Sequence, residues 1–417
     1  MNKNLLIILL LCAAPVLKAA EIEFAESVPE ETVYGSTLAA RPAQMWIEMI
    51  NGAVKTLEFE EFYIADKSGE VLEPVLTAVR AAAARGVKVR FIVEKAMMGE
   101  TSKVLPGLTA ENNIEARVIE FKKIAGGIQH SKFFVADGRE VYVGSQNLDW
   151  RSLSQIHEVG ARVKSERAAL DFGRIFEADW ALAGGADMKT AFEKADKLTA
   201  ASSQGAPAPV TAKPLNAANP EAVLVRGASA SYHLAFSPSG FIPSGFDGEL
   251  SVMLRMIKNA KKSIHAQVMT YSLFPYGKKI RWDELDKALR AAGKRGVKVE
   301  LIFADWAMGG KDEKDIKALS QAKNVSVKIS SFPQNSKGFI PFSRVDHSKY
   351  LVFDGNKGLL STSNWAPDYF LNIRGAALIV EGEAGVAPLE DIFERSWAGP
   401  YVAPVDPGKD YKPVKKN

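Results

Sequence analysis

The stretch His130-Ser-Lys132-Phe-Phe-Val-Ala-Asp137-Gly-Arg-Glu-Val-Tyr-Val-Gly144-Ser145-Gln-Asn147 carries a motif that this chain repeats. The second copy runs from His347-Ser-Lys349 through Asp354 to Ser361-Thr362-Ser-Asn364. In each copy Asp lies at an offset of 7 from His, and Asn at an offset of 17. The apolar runs His130–Val135 and His347–Phe353 read as strands. Residues two apart on a strand share a face, so each His and Lys can reach one phosphate. One imidazole can attack phosphorus while the other protonates the leaving oxygen and later activates water. Lys132, Lys349, Asn147 and Asn364 can hold the non-bridging oxygens, with Ser145 and Thr362 as further donors. Two ammonium groups facing the phosphate leave no need for a metal or other cofactor.

The duplication extends outward from the motif. Arg80 to Val89 returns as Arg290 to Val299, an offset of 210, and Met49-Ile50 returns as Met256-Ile257, an offset of 207. Ile175-Phe176-Glu177 with Trp180 returns as Ile392-Phe393-Glu394 with Trp397, at the same offset of 217 as the two histidines. A period near 200 residues is too long for a solenoid. It suggests two similar domains facing each other across a pseudo-twofold axis. Helices over Met45–Val54 and Val71–Arg85 alternate with strands over Thr56–Tyr63 and Val87–Val93, with Gly86 in the C′ position. The second half repeats this with helices Gly248–Ala260 and Trp282–Arg295 and strands Ser263–Tyr271 and Val297–Ala304, with Gly296 after the second helix. Alternation of this kind indicates an α/β layered fold. The domains expected are 20–199 and 223–417, joined by an Ala/Pro/Ser-rich linker at 200–222. The tail after Pro400 reads as irregular.

A chain of 417 residues has room for two cores, and a formal charge of only +4 excludes strong polyanion binding by the molecule as a whole, so any such affinity must come from a local basic surface. Residues 1–19 read as a signal peptide: a short basic start, an apolar stretch from Leu5 to Val16, and Ala19 and Ala20 near the cleavage point. That run is short for a bilayer span. Cys12, the only cysteine, would leave with it, excluding disulfide and thiolate chemistry from the mature chain. An exported protein, periplasmic or secreted, with no integral membrane segment after cleavage is the expectation.

The five histidines lack the Cys partners and the i, i+4 spacing of a zinc site. His157, His233 and His265 recur at no matching position and read as structural. Asp137 and Asp354 read as braces for the turn after the strand, and Gly144 as part of the structural motif. Glu158, eleven residues past Asn147, is a candidate to orient a catalytic imidazole, that of its own copy, His130. Gly375 stands at the equivalent place in the second copy, so the pair is not symmetric.

These residues resemble the phospholipase D superfamily, whose hallmark is His-x-Lys-x4-Asp-x6-Gly-Ser-x-Asn. The first copy matches it fully; the second has Ser361 and Thr362 where glycine and serine are usual. Gly144–Leu153, Ile175–Trp180 and Ser363–Phe370 are similar to the animal lysosomal phospholipase-D-like branch, which includes 5′ exonucleases of single-stranded nucleic acid and a poxvirus envelope protein. The resemblance implies two homologous α/β/α sandwich domains with a single active site at their interface. It implies a metal-independent phosphodiesterase working through a phosphohistidine, with His130 as nucleophile and His347 as acid. It also implies that the Glu158 position orients a catalytic His.

The superfamily cuts nucleic acids and phospholipids with one kind of site. Lys122, Lys123, Lys337 and Arg344, on the loops before the two histidines, are candidates to guide a polyanion. Tyr63, Tyr271, Phe274 and Phe339 are candidates to stack bases. Single-stranded nucleic acid is the favoured substrate, with phospholipid hydrolysis or transphosphatidylation as the alternative. A non-catalytic binding protein is the third class, opposed by the intact His347 and Lys349.

Overall fold

Residues 19–198 and 213–417 are described by a computed structural model. Residues 1–18 of the expected leader, and residues 199–212, which run from the end of the first expected domain into the expected linker, lie outside them. The first half runs β1 (Ala20–Ser27), α1 (Pro42–Gly52), β2 (Thr56–Glu61), α2 (Glu73–Ala84), β3 (Lys88–Glu94), β4 (Ile114–Ile119), β5 (Phe133–Ala136), β6 (Glu140–Gly144), β7 (Glu158–Lys164) and α3 (Glu166–Ala183). The second runs β8 (Glu221–Val225), β9 (Ala228–Ser237), α4 (Glu249–Asn259), β10 (Ser263–Val268), α5 (Glu284–Lys294), β11 (Lys298–Ala304), β12 (Val325–Ser330), β13 (Lys349–Phe353), β14 (Lys357–Ser361), β15 (Gly375–Glu381), α6 (Glu383–Ala398) and β16 (Val402–Pro404).

Both halves build their sheet in one order. The first reads β4-β3-β2-β5-β6-β7-β1. The second reads β12-β11-β10-β13-β14-β15-β9. The parallel β2–β3 and β10–β11 pairs are each crossed by one helix, α2 or α5. After each helix the chain reverses through a glycine at positive φ, +94° at Gly86 and +98° at Gly296, a conformation that residues with a Cβ rarely adopt.

The halves are joined more closely than two separate sandwiches would be. Strand β8 pairs parallel to β1 and antiparallel to β9, so hydrogen bonding continues from one sheet into the other. This covers the free edge of β1. The central core is likewise shared: Phe172, Ile175 and Phe176 of α3 and Leu389, Ile392 and Phe393 of α6 pack in one cluster with Phe24, Phe236 and Val352. On the outer faces α1 and α2 cover Phe59 and Phe91, while α4 and α5 cover Leu301 and Phe303. Residues 213–222 are packed rather than free: Leu215 is wholly buried, and its N–H donates to the Asp171 carboxylate at 2.7 Å. Beyond Pro400 the tail forms β16, and the Lys416 carbonyl accepts from the Phe342 N–H at 2.7 Å. No helix among the described residues is long and apolar enough to cross a membrane.

The two motif histidines precede their strands rather than belonging to them, because each lies in a segment that bridges to the opposite half. Gln129 pairs with Arg374, and His157 with Asp346. These contacts are equivalent under the offset of 217, and each carries a buried ionic cluster. Arg374 is wholly buried and forms a two-pronged pair with Asp179, at 2.7 and 2.8 Å. Glu60, also buried, accepts from the Gln129 amide at 3.2 Å, and burial followed by the Asp179 charge pushes its carboxyl up. At the other bridge His157 sits between Glu26, at 2.9 Å, and Asp346, at 3.4 Å. Burial works against its charge, but the two carboxylates raise it to about 9.

Breaking a buried pair by removing one partner strands a charge, at a cost of about 3–5 kcal/mol. Asp179→Ala is expected to fall at the low end, about 3 kcal/mol, because the Glu60 carboxyl can ionise in place of Asp179. Denaturant unfolding of the variant against wild type measures this. An unchanged midpoint would show that the Arg374 cluster does not hold the halves together.

Candidate active site

The bridges bring both motifs to one place between the halves. The His130 N–H donates to the Arg374 carbonyl at 3.0 Å, and the His347 N–H to the His157 carbonyl at 2.8 Å. Each motif is thus held by the strand entry of the other half. His130, Lys132, Lys349, Asn147 and Asn364 are all buried, with 5% or less of their surface exposed. His347 is half-buried, its side chain 13% exposed. Each lysine turns back on its own motif: Lys132 Nζ donates to the His130 carbonyl, and Lys349 Nζ to that of His347.

The imidazoles are held in different ways. His130 Nδ1 faces the Thr362 carbonyl at 3.1 Å. A carbonyl only accepts, so Nδ1 carries the proton and Nε2 keeps its lone pair. His347 Nδ1 instead meets the Glu158 carboxylate. Glu158 therefore orients the histidine of the opposite copy, not His130 as its place in the chain suggests. The reason lies in the docking: β7 enters beside His157, which bridges to Asp346, one residue before His347. The equivalent place beside His130 holds Gly375, which has no carboxylate to offer, and hydroxyl groups crowd it. A Cβ on Gly375 would meet Ser363 Oγ at 2.6 Å and Ser237 Oγ at 2.7 Å.

Burial sets the electrostatics. It pushes the Glu158 carboxyl up, against the pull of Lys349. It pushes the His347 imidazole down, aided by Lys349 and Lys132. Both shifts leave one proton within the pair and a second on Nε2. His130 is driven well down by burial, then by Lys132, Lys349 and His347, so it is neutral. Burial lowers Lys349 to about 7, opposed by Glu158 and Asp346. Lys132 is lowered by burial and then by Lys349, with the buried Glu61 opposing. Burial and like charge disfavour these cations, and an anion between them would favour their charged form.

Other candidates have different roles. Asp137 accepts from the backbone N–H groups of Val54, Lys55 and Thr56, at 2.7 to 2.9 Å. Asp354 does the same for Lys261, Lys262 and Ser263. Ser145 and Thr362 are wholly buried, and their hydroxyls accept from the N–H groups of Val159 and Ala376, at 3.1 and 3.0 Å. They brace β7 and β15, and the Ser145 hydroxyl also donates to the Val159 carbonyl at 3.2 Å, so its proton is not free for phosphate. A Cβ on Gly144 would meet the Gly160 Cα at 2.6 Å, so two backbones touch there. In the second copy Ser361 fits because Ser363 replaces the bulky Gln146. The Ser361 hydroxyl donates to Glu249 and accepts the Ser363 N–H at 2.8 Å.

Arg344 does not face substrate. It is buried and ties loops together through the carbonyls of Pro333, at 2.6 Å, and Glu30, at 2.8 Å. Tyr271 is a core residue whose hydroxyl donates to Asp286 at 2.5 Å. Tyr63 is half-buried and donates to Asp149 at 2.8 Å. Lys122, Lys123 and Lys337 are exposed, with Lys123 paired to Glu120 at 2.7 Å. Three neighbours of the site escaped the sequence reading. Glu61 lies next to Lys132, and the rings of Phe62 and Tyr369 flank His130 at centroid distances of 4.8 and 5.1 Å. A run of Glu58, Glu60 and Glu61 within one apolar strand was the available signal for the first.

Comparison with known proteins agrees with this geometry. The family described as "Cardiolipin synthase, PLD-like domain" matches residues 46–180 and 253–397, one stretch in each half. The cattle and human proteins named 5'-3' exonuclease PLD3 are each 30% identical to this chain, over 95% of it and 83% of their own length. A Caenorhabditis elegans protein named probable phospholipase D F09G2.8 is 30% identical over 86% of the chain and 66% of its own length. Among solved structures, a phosphatidylserine synthase from Haemophilus influenzae superposes with a TM-score of 0.59 at 12% identity, covering 92% of this chain and 87% of its own. A polyphosphate kinase from Porphyromonas gingivalis gives 0.54 at 14% identity, covering 95% of this chain and 54% of its own. These two share the fold. The paired family matches and the relatives spanning nearly the whole sequence establish that this chain belongs to the phospholipase D superfamily.

Proposed function

We propose that this protein is a phosphodiesterase that cleaves single-stranded nucleic acid from its 5′ end through a phosphohistidine. One observation carries the reading: two His-x-Lys sets from opposite halves meet in one buried site, with one imidazole held by a carbonyl and the other by a carboxylate. A carbonyl-held, neutral imidazole suits attack, so His130 Nε2 forms the bond to phosphorus. His347 Nε2–H gives its proton to the departing oxygen as the P–O bond breaks. As that proton leaves, the one shared with Glu158 settles on Nδ1, so His347 is left neutral with a free lone pair on Nε2 beside an ionised Glu158. That lone pair takes a proton from water. The water oxygen attacks phosphorus, the P–N bond breaks, and His130 returns to its starting state. Lys132 and Lys349 hold the non-bridging oxygens through both steps.

The exonuclease names of the relatives favour nucleic acid, as do the exposed Lys122, Lys123 and Lys337 before the two motifs. A second reading, phospholipid cleavage, rests on the loop at 274–282. There Tyr276 is 91% and Ile280 74% exposed, beside Lys278 and Lys279, as suits contact with an anionic bilayer surface. The basic and apolar start of the sequence supports export to the periplasm or beyond.

The reading is tested by offering a single-stranded oligonucleotide and phosphatidylcholine vesicles side by side, each with excess EDTA. Release of nucleotides from the 5′ end, unaffected by EDTA, is expected. Choline release without nucleotide release would favour the second reading, and activity that needs added metal would overturn the mechanism.

Substrate binding should depend on pH through Lys349. Its folded pKa is lowered to about 7, so the cation is present below pH 7 and lost above it. A diester keeps its own charge over this range. Its affinity for the inactive His130→Ala variant should therefore fall by up to about tenfold per pH unit above neutrality. Titration calorimetry from pH 6 to 8 measures this, with Lys349→Gln expected to flatten the dependence. Affinity independent of pH in the Lys349 protein would contradict the account.

A further inference from the structure

The motif residues obey the pseudo-twofold relation, but the walls around them do not. Phe62 lies with its ring tilted 54° to the His130 imidazole at 4.8 Å, and Tyr369 meets that imidazole edge-on at 5.1 Å and 84°. The Lys132 ammonium lies 5.0 Å from the Phe62 ring. Tyr369 is fixed from behind, its hydroxyl accepting from the Asn364 amide at 2.9 Å. Under the offsets of 207 and 217 the matching positions beside His347 are Met269 and Ser152. Ser152 is wholly buried and too small to form a wall, and Met269 packs with Ile156, Ala304 and Val345. One histidine therefore stands between two half-buried rings and the other does not.

A site with true twofold symmetry could not tell the two ester arms of its substrate apart. The rings remove that ambiguity. In-line displacement puts the attacking nitrogen and the leaving oxygen on opposite sides of phosphorus. The leaving arm is thus on the His347 side, and the arm that stays on phosphorus is the one within reach of the rings. We propose that Phe62 and Tyr369 form a subsite for the base of the terminal nucleoside, the residue retained on the phosphohistidine. The leaving strand departs over Met269 and Ser152. Two rings hold one base, so the subsite accepts a single nucleotide and sets the cut one residue from the end. This rests on the nuclease reading above and adds the residues that select the arm.

Base stacking on an aromatic side chain is worth roughly ten- to hundredfold in binding. Phe62→Ala and Tyr369→Ala should each raise KM for a single-stranded oligonucleotide by about that factor. Phe62→Tyr and Tyr369→Phe keep the rings and should restore most of it. The decisive substrate is the same oligonucleotide with an abasic 5′-terminal residue. Wild type should lose affinity for it, and the alanine variants should lose nothing further. If wild type cuts the oligonucleotide but the alanine variants are equally impaired on the normal and abasic substrates, or are unimpaired on both, the subsite is refuted while the nuclease reading stands. If wild type does not cut the oligonucleotide at all, both fall.

Discussion

Each motif histidine donates its backbone N–H to a carbonyl of the opposite half: His130 to Arg374 at 3.0 Å and His347 to His157 at 2.8 Å. The rest of the site depends on this exchange. It brings four basic side chains, His130, Lys132, His347 and Lys349, into one buried space that neither half could form alone. Such crowding is unfavourable, and other contacts must offset it. The Arg374–Asp179 cluster at one bridge and the His157–Asp346–Glu26 cluster at the other provide buried ionic contacts on either side of the site. The continuous sheet through β8 and the core shared by α3 and α6 add apolar contact between the halves.

The site is electrostatically poised. Burial alone lowers both lysines, and their mutual repulsion lowers Lys132 further. A phosphodiester removes the conflict by placing negative charge between them, so binding and protonation reinforce each other. Preorganised cations of this kind need not move as charge develops in the transition state. The difference between the histidines follows from one steric fact. Gly375, crowded by the hydroxyls of Ser363 and Ser237, stands where Glu158 does in the other copy, so of the two motif histidines His347 is the one with a carboxylate partner.

Much of this was legible in the sequence. The motif register, the strand–helix–strand unit closed by Gly86 and Gly296, and the bracing role of Asp137 and Asp354 depend on contacts within one half, which spacing along the chain determines. The misreadings concern contacts that appear only on docking or packing. Its place in the chain puts Glu158 with the histidine of its own copy, but distance along the chain says nothing about which half a side chain enters. Ser145 has the chemistry to donate to phosphate, but the backbone of the adjacent strand takes up its hydroxyl in both roles. Arg344 and Tyr271 had suitable chemistry for substrate contact and were taken up by loop carbonyls and by Asp286. A signal for the docking did exist: position pairs 129/346 and 157/374 hold Gln/Asp and His/Arg, buried polar groups at matching offsets.

The central claim is that two differently held histidines from opposite halves perform one double displacement, with His130 carrying the phosphoryl group. Rapid quenching of His347→Ala with a p-nitrophenyl phosphodiester, followed by peptide mass spectrometry, tests it most directly. Nitrophenolate leaves without an acid, so the first step should proceed, while loss of the base that activates water should stall the second. The account predicts a phosphorylated peptide containing His130. Phosphate on His347, accumulating in His130→Ala instead, would contradict the assignment of roles, and the absence of adduct from both variants would contradict the covalent mechanism.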